Sequence, residues 1–171
     1  MNKLQNFASG FALMLIAFLS GCSDGDDSSC ENGSFQMNVN GSTITATSFN
    51  NTLLKGAGAG IDGKRMDIRA TDSEGRELII TFTDLSSGSN GNCMTTSDAY
   101  VPFDEVFTGE ENAFFFTFIE DGISYSIITG TLHITACDDS AKRISGTFSF
   151  SSDEYVVTNG TFTDMCYRIV K

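Results

Sequence analysis

Ile144-Ser145-Gly146-Thr147-Phe148-Ser149-Phe150 is the stretch that decides the fold, because its large apolar residues alternate with small polar ones. Successive side chains of a β-strand point to opposite faces, so the alternation predicts a strand with one buried face. Its Gly-Thr-Phe core recurs as Gly160-Thr161-Phe162 and, with leucine, as Gly130-Thr131-Leu132. This period fits one strand plus one turn. It predicts adjacent antiparallel strands in which Gly allows a bulge or close contact, Thr faces outward and the large residue enters the core.

The same alternation extends along the chain from this stretch. Asn40-Gly41 supplies two residues that tolerate positive φ, as a tight hairpin requires. The predicted strands lie at 35–39, 43–47, 65–70, 78–83, 114–119, 123–136, 144–150 and 155–170, with irregular segments at 50–64 and 85–112. We therefore expect an all-β fold of about eight antiparallel strands, either a sandwich or a flattened barrel, with Phe82, Phe116, Phe148 and Phe162 in its core.

The segment 85–112 is the longest irregular stretch and contains three aromatic residues, Tyr100, Phe103 and Phe107. These rings could stack on a sugar or an apolar ligand, or they could plug the end of a barrel. The absence of Trp weakens the case for a glycan, since Trp offers the largest amphipathic ring. The following strand, 114–119, is apolar on both faces, which predicts that both faces are covered.

The amino terminus has the parts of a bacterial lipoprotein signal. A basic start, a short apolar run and Leu19-Ser20-Gly21 precede Cys22, where such a signal is cut and the cysteine is lipidated. The apolar run is too short to span a bilayer. Residues 23–29, which follow Cys22, include no apolar side chain, and this composition predicts a flexible acidic tether. We therefore expect a signal peptide at 1–21, a tether at 22–33 and a single β domain at 34–171.

Two resemblances accompany these features. Cys-Ser-Asp-Gly-Asp-Asp at 22–27 resembles the acidic export signal of surface-exposed lipoproteins of Bacteroidota, which implies an outer-membrane protein displayed on the cell surface, with a periplasm-facing protein as the alternative. The hairpin sequence at 35–41 and the strands at 144–150 and 157–162 resemble an uncharacterised lipocalin-like family of Bacteroidota lipoproteins. That family has no assigned activity, so the resemblance implies the fold and the anchor and leaves the function open.

Four cysteines follow the one expected to carry lipid. An even number in an exported chain predicts two disulfides, and no Cys-x-x-Cys or Cys/His spacing suggests a metal site. In a meander of strands the four fall toward one end of the sheet, which leaves the pairing open. The disulfide candidates are Cys30, Cys93, Cys137 and Cys166.

The remaining sequence offers little for catalysis. The single histidine, His133, falls on the predicted outer face, no nucleophile motif occurs, and the paired acidic residues lie in turns where neighbouring side chains diverge. The chain carries 22 acidic against 10 basic side chains, which disfavours nucleic acid and anionic lipid as partners. We expect no cofactor or metal, and a non-catalytic binding or interaction module for a glycan, peptide or small apolar ligand. The alternatives are a structural envelope component and a carboxylate-dependent hydrolase.

Overall fold

A computed structural model of the chain describes residues 33–56, 63–85, 91–96, 100–103, 112–127 and 129–170, and the described residues form strands and turns without a helix. The strands are β1 (Ser34–Val39), β2 (Ser42–Phe49), β3 (Thr52–Lys55), β4 (Lys64–Asp72), β5 (Glu77–Asp84), β6 (Val101–Pro102), β7 (Ala113–Glu120), β8 (Ile123–Ile127), β9 (Gly130–Asp138), β10 (Arg143–Ser151), β11 (Val156–Cys166) and β12 (Arg168–Val170). The all-β prediction is confirmed.

The strands form one strongly curved sheet that is nearly closed into a barrel. Its order is β6-β7-β5-β4-β2-β1-β11-β10-β9, while β8 pairs with β7 and β12 pairs with β3. β8 and β9 follow one another along the chain, and β8 pairs with β7 while β9 pairs with β10, so together they join the two ends of the sheet. When the broken strands β2–β3, β8–β9 and β11–β12 are each counted once, and the short β6 is set aside, eight strands surround the core. The expectation of about eight strands in a sandwich or flattened barrel is confirmed, and the sheet has the shape of a nearly closed barrel.

The barrel has two different ends. One, the hairpin end, consists of the tight connections at 39–42, 72–77, 120–123 and 151–156. The other, the loop end, contains the long connections at 55–64 and 85–112, the turn at 138–143 and the beginning of β1. The nine residues of β10 run between the two ends, a distance of roughly 25 Å at the usual rise per residue.

Aromatic rings from three strands pack together in the centre of the barrel. The ring centroid of Phe116 lies 4.6 Å from that of Phe150 and 5.8 Å from that of Phe148, and Phe148 also packs against Phe35 at 5.3 Å. All four residues are buried. The predicted core residues Phe82, Phe116, Phe148 and Phe162 are buried as expected. At this level the barrel interior is therefore packed with side chains.

The repeated Gly-Thr-Phe sequences explain how these rings fit. Phe148 of β10 lies directly opposite Gly160 of β11, and Gly146 lies opposite Phe162. A Cβ atom on Gly160 would lie 2.5 Å from Cε2 of Phe148, so only glycine leaves room for the ring. The threonine of each repeat is exposed, as predicted. Each phenylalanine thus lies over the backbone of a glycine on the neighbouring strand.

Five details differ from the expectation. The segment 85–112 contains the short strand β6, which pairs with β7, and the predicted strand 155–170 is two strands, β11 and β12. The segment 50–64 is not irregular throughout, because Thr52–Lys55 forms β3 and its backbone pairs with both β4 and β12. The predicted strand 123–136 is two strands, β8 and β9, because the chain leaves β7 and begins to pair with β10. The outer face of β7 is only half-buried, while its inner face is fully buried.

Candidate functional site

The loop end contains the first of the predicted ligand aromatics, Tyr100. Its ring packs edge-on against Phe82 with a centroid distance of 5.5 Å, and its hydroxyl donates a hydrogen bond to the carbonyl oxygen of Thr95 at 3.0 Å. The residue is buried, and this burial raises the pKa of the Tyr100 hydroxyl well above its usual range. Tyr100 therefore closes the end of the barrel and offers no open ring face to a ligand.

Phe103 lies on the other side of the sheet. It packs on Phe115, which points outward from β7, at a centroid distance of 6.3 Å. Its amide donates to the carbonyl oxygen of Phe114 at 2.7 Å, and 45 % of its surface is exposed. Phe107 lies outside the described residues. Tyr100 and Phe103 are thus separated by the sheet and do not form one stacking surface.

Beneath the same loop lies a buried ion pair that the sequence did not indicate. Lys64 and Asp84 face each other on β4 and β5, with Nζ and Oδ2 3.7 Å apart and side chains exposed by only 2 % and 0 %. The Lys64 ammonium donates to the carbonyl oxygen of Cys93, and Asp84 Oδ2 accepts hydrogen bonds from the Thr95 amide and hydroxyl at 2.7 and 2.8 Å. The two charged side chains hold the segment 91–96 against the barrel, and because they are buried they are not accessible to a substrate.

The disulfide Cys93–Cys137 fixes this segment to β9. The two Cα atoms are 5.7 Å apart, and the hydroxyl of Tyr167 lies 3.8 Å from each sulfur atom. Burial, together with the nearby acidic turn of the β9–β10 hairpin, raises the pKa of that hydroxyl to about 12. One predicted disulfide is therefore confirmed, and the pairing that the sequence left open is resolved for these two cysteines.

The other cysteines are less fully described. Cys166 is buried near the end of β11 and is also disulfide-bonded. Because Cys93 and Cys137 bond to each other, its candidate partners are Cys22 and Cys30, and both lie outside the described residues. Cys22, the predicted lipidation site, likewise lies outside them.

The hairpin end carries a cluster of aromatic rings that the sequence analysis did not single out. Tyr155, in the turn before β11, packs against Phe118 of β7 at 4.8 Å and against Tyr125 of β8 at 4.9 Å. Phe118 is fully buried, whereas both tyrosines are partly exposed. The cluster caps the barrel interior at this end with its two tyrosines toward solvent.

A chain of polar contacts continues from this cap across the hairpin end. The Tyr155 hydroxyl donates to Glu120 Oε2 at 2.7 Å, and Arg76 lies 4.0 Å from the other oxygen of Glu120. Arg76 also contacts Asp72 at 2.7 Å and Glu74 at 3.2 Å. The bond to Glu120 raises the pKa of Tyr155 well above its usual range. Partial burial of Asp72 opposes its ionisation, but the hydrogen bonds from Arg76 outweigh it and lower the pKa of the carboxyl.

Two apolar side chains next to the cap are unusually exposed. Ile123 has 56 % of its surface in solvent and Val156 has 51 %, the largest values among the large apolar side chains in the described part of the chain. Ile123 alternates with Tyr125 along β8, so both side chains extend from the same face of that strand. Ile123 is exposed because it is the first residue of β8, at the hairpin end of the barrel. The alternation of the sequence does not distinguish it from the isoleucines that are buried further along the strands.

Signs of catalytic or metal chemistry are sparse in the described regions. His133 is only partly exposed and lies opposite the exposed Thr147, on the outer face as predicted. Within the described ranges no group of three or more His, Cys, Asp or Glu side chains is placed to hold a metal ion. The same ranges contain no helix long and apolar enough to cross a membrane. Comparison of the chain with protein-family models, curated proteins and solved structures gave no match.

Proposed function

We propose that the protein is a lipid-anchored, non-catalytic binding module of the outer membrane, displayed on the cell surface, and that its hairpin end is the binding surface. The observation that carries the proposal is the exposure of Ile123 beside the partly exposed tyrosines of the cap. Ile123 and the partly exposed tyrosine rings form one apolar surface, and an exposed apolar surface on a monomeric protein often marks a binding site. A periplasm-facing orientation would use the same surface on a different side of the membrane.

A non-catalytic role is supported by what the charged groups do. The Lys64–Asp84 pair is buried and holds a loop, while Arg76 and Glu120 contact other side chains of the hairpin end. A catalytic acid or base must be accessible to the substrate and lie within hydrogen-bonding distance of the proton that it transfers. A structural component without a ligand is the alternative, and a hydrolase would require an accessible carboxylate pair at a defined separation.

The choice of the hairpin end is supported by the path of the chain. Gly33, which leads into β1, packs beside Met165 at the loop end, where a Cβ on the glycine would lie 3.2 Å from the Met165 Cα. An anchor at Cys22 therefore joins the domain at the loop end. The hairpin end lies roughly 25 Å away along the strands, at the end of the barrel opposite the one where the tether joins.

The anchor is tested by the variant Cys22→Ala. The proposal predicts that the variant lacks the mass of the acyl chains and is released from the membrane fraction. The reason is that the lipid on Cys22 is the proposed membrane anchor. Ser23→Ala is the matched control and should remain in the membrane. A Cys22→Ala protein that stays in the membrane with its fold intact would contradict the anchor.

The binding surface is tested by photo-crosslinking on intact cells. A photoreactive residue placed at Ile123 should give discrete adducts, whereas the same residue at Leu54, an exposed position on β3, should not. Identical adducts at both positions, or none at Ile123, would refute the hairpin end as a binding surface. Protease treatment of the same cells reports whether the domain is displayed outside.

A further inference from the structure

We infer that the partner of the hairpin end is a basic polypeptide segment, one in which a Lys or Arg side chain lies next to an apolar side chain. This inference rests on the proposed function and specifies the chemistry of its ligand. It is drawn from two properties of the same surface, an exposed apolar centre and an acidic rim.

The apolar centre consists of Ile123, Tyr125 and Tyr155. Tyr125 and Tyr155 contact each other at 4.9 Å with an angle of 70° between their rings, so they form a firm surface of fixed shape. Ile123 continues that surface outward along β8. A flexible apolar side chain of a partner can be buried against such a surface without ordering the protein further.

The acidic rim surrounds this centre on three hairpins. Glu120 pairs with Ile123 across the β7–β8 turn, and Asp121 lies within that turn and is exposed. Asp153 and Glu154 are exposed in the turn that carries Tyr155, and Glu74 is exposed on the neighbouring hairpin. Arg76 is the one basic residue of the four hairpins, and it contacts Asp72, Glu74 and Glu120. The rim therefore keeps a net negative charge.

A basic side chain matches both properties at once. The alkyl stem of Lys or Arg covers apolar surface while the charged head remains at the edge, and tyrosine rings attract a cation placed over them. A neutral glycan carries no charge to pair with the rim, and the hydroxyl hydrogen of Tyr155 is already donated to Glu120. An anionic ligand would be repelled by the rim.

The test measures the binding of labelled pentapeptides to the full exported chain in detergent by fluorescence anisotropy. Acetyl-Lys-Leu-Lys-Leu-Lys-amide should bind, and acetyl-Glu-Leu-Glu-Leu-Glu-amide and a neutral maltooligosaccharide should not. Ile123→Ser should weaken the binding by about fivefold. Glu120→Gln/Asp121→Asn should weaken it similarly and reduce its dependence on salt between about 50 and about 500 mM.

Matched controls separate this surface from general attraction to an acidic protein. Asp139→Asn/Asp164→Asn removes two exposed carboxylates at the loop end, and Leu54→Ser removes an exposed apolar side chain there. Both should leave binding unchanged. Equal loss in the loop-end and hairpin-end variants would overturn the inference, as would equal binding of the acidic peptide. If Ile123 gives crosslinks on cells but the basic peptide does not bind, the ligand chemistry is wrong and the binding surface stands.

Discussion

Replacement of Gly160 by alanine should destabilise the protein although it adds a single methyl group. The new Cβ would lie 2.5 Å from Cε2 and 2.6 Å from Cδ2 of the Phe148 ring. The ring cannot move away easily, because it is buried and its other contacts include Phe35 at 5.3 Å and Phe116 at 5.8 Å. The substitution therefore forces extra volume into a packed core.

The magnitude follows from two opposing effects. Overpacking of a core costs about 1 to 3 kcal/mol, whereas replacing Gly by Ala in an unstrained strand gains about 0.5 to 1 kcal/mol by restricting the unfolded chain. The overpacking term is the larger, so we expect a net loss of about 1 to 2 kcal/mol. Equilibrium unfolding in urea should show it as a lower midpoint, by roughly 0.5 to 1 M for typical slopes.

A double-mutant cycle identifies the cause of the loss. In a Phe148→Leu background the smaller side chain leaves room, so Gly160→Ala should cost about 1 kcal/mol less than in the wild type. Thr161→Ala, at the next and exposed position, should change stability by less than about 0.5 kcal/mol. A Gly160→Ala protein as stable as the wild type, or a cycle that is strictly additive, would refute the packing argument.

Three further predictions concern the cysteines and the buried charges. Cys30 should be the partner of Cys166, because β1 begins four residues after Cys30 beside β11, and non-reducing peptide mapping would show a different link if this is wrong. Arg76→Ala should lower the free energy of unfolding by about 1 kcal/mol at neutral pH. Because the pKa of Asp72 is lowered in the folded state, the difference in stability between wild type and variant should shrink as the pH falls below 3.8 and Asp72 becomes protonated. A difference in stability that stays constant over this pH range would contradict the prediction. Lys64→Met should cost about 3 to 5 kcal/mol by leaving the buried Asp84 carboxylate without a countercharge, and Asp84→Asn in the same protein should recover part of the loss in thermal unfolding.

The sequence predicted those parts of the fold that depend on local alternation. Strands such as 144–150 and core residues such as Phe148 follow from the two-residue period, because burial on one face selects the side chain at every second position. The Lys64–Asp84 pair could not be predicted, since each residue lies at a strand end where a charge normally faces water, and the pairing depends on the register of β4 and β5.

The candidate site was predicted less well than the fold. Tyr100 and Phe103 were correctly noted as aromatics of one loop, but the face each occupies depends on the path of that loop across the sheet. The tyrosine cap joins Phe118 of β7, Tyr125 of β8 and Tyr155 of the turn before β11. Such long-range proximity results from closing the barrel and has no signature in the local sequence.

The glycine and phenylalanine pairs also bear on how the barrel reaches its correct alignment during folding. A shift of β10 against β11 by two residues would keep every side chain on its proper face, so the in-and-out pattern alone cannot prevent it. That shift would move Phe148 from Gly160 to a place opposite Phe162, where two rings would compete for the space of one. The two glycines therefore disfavour the shifted register, because each leaves room for a ring only at its native partner.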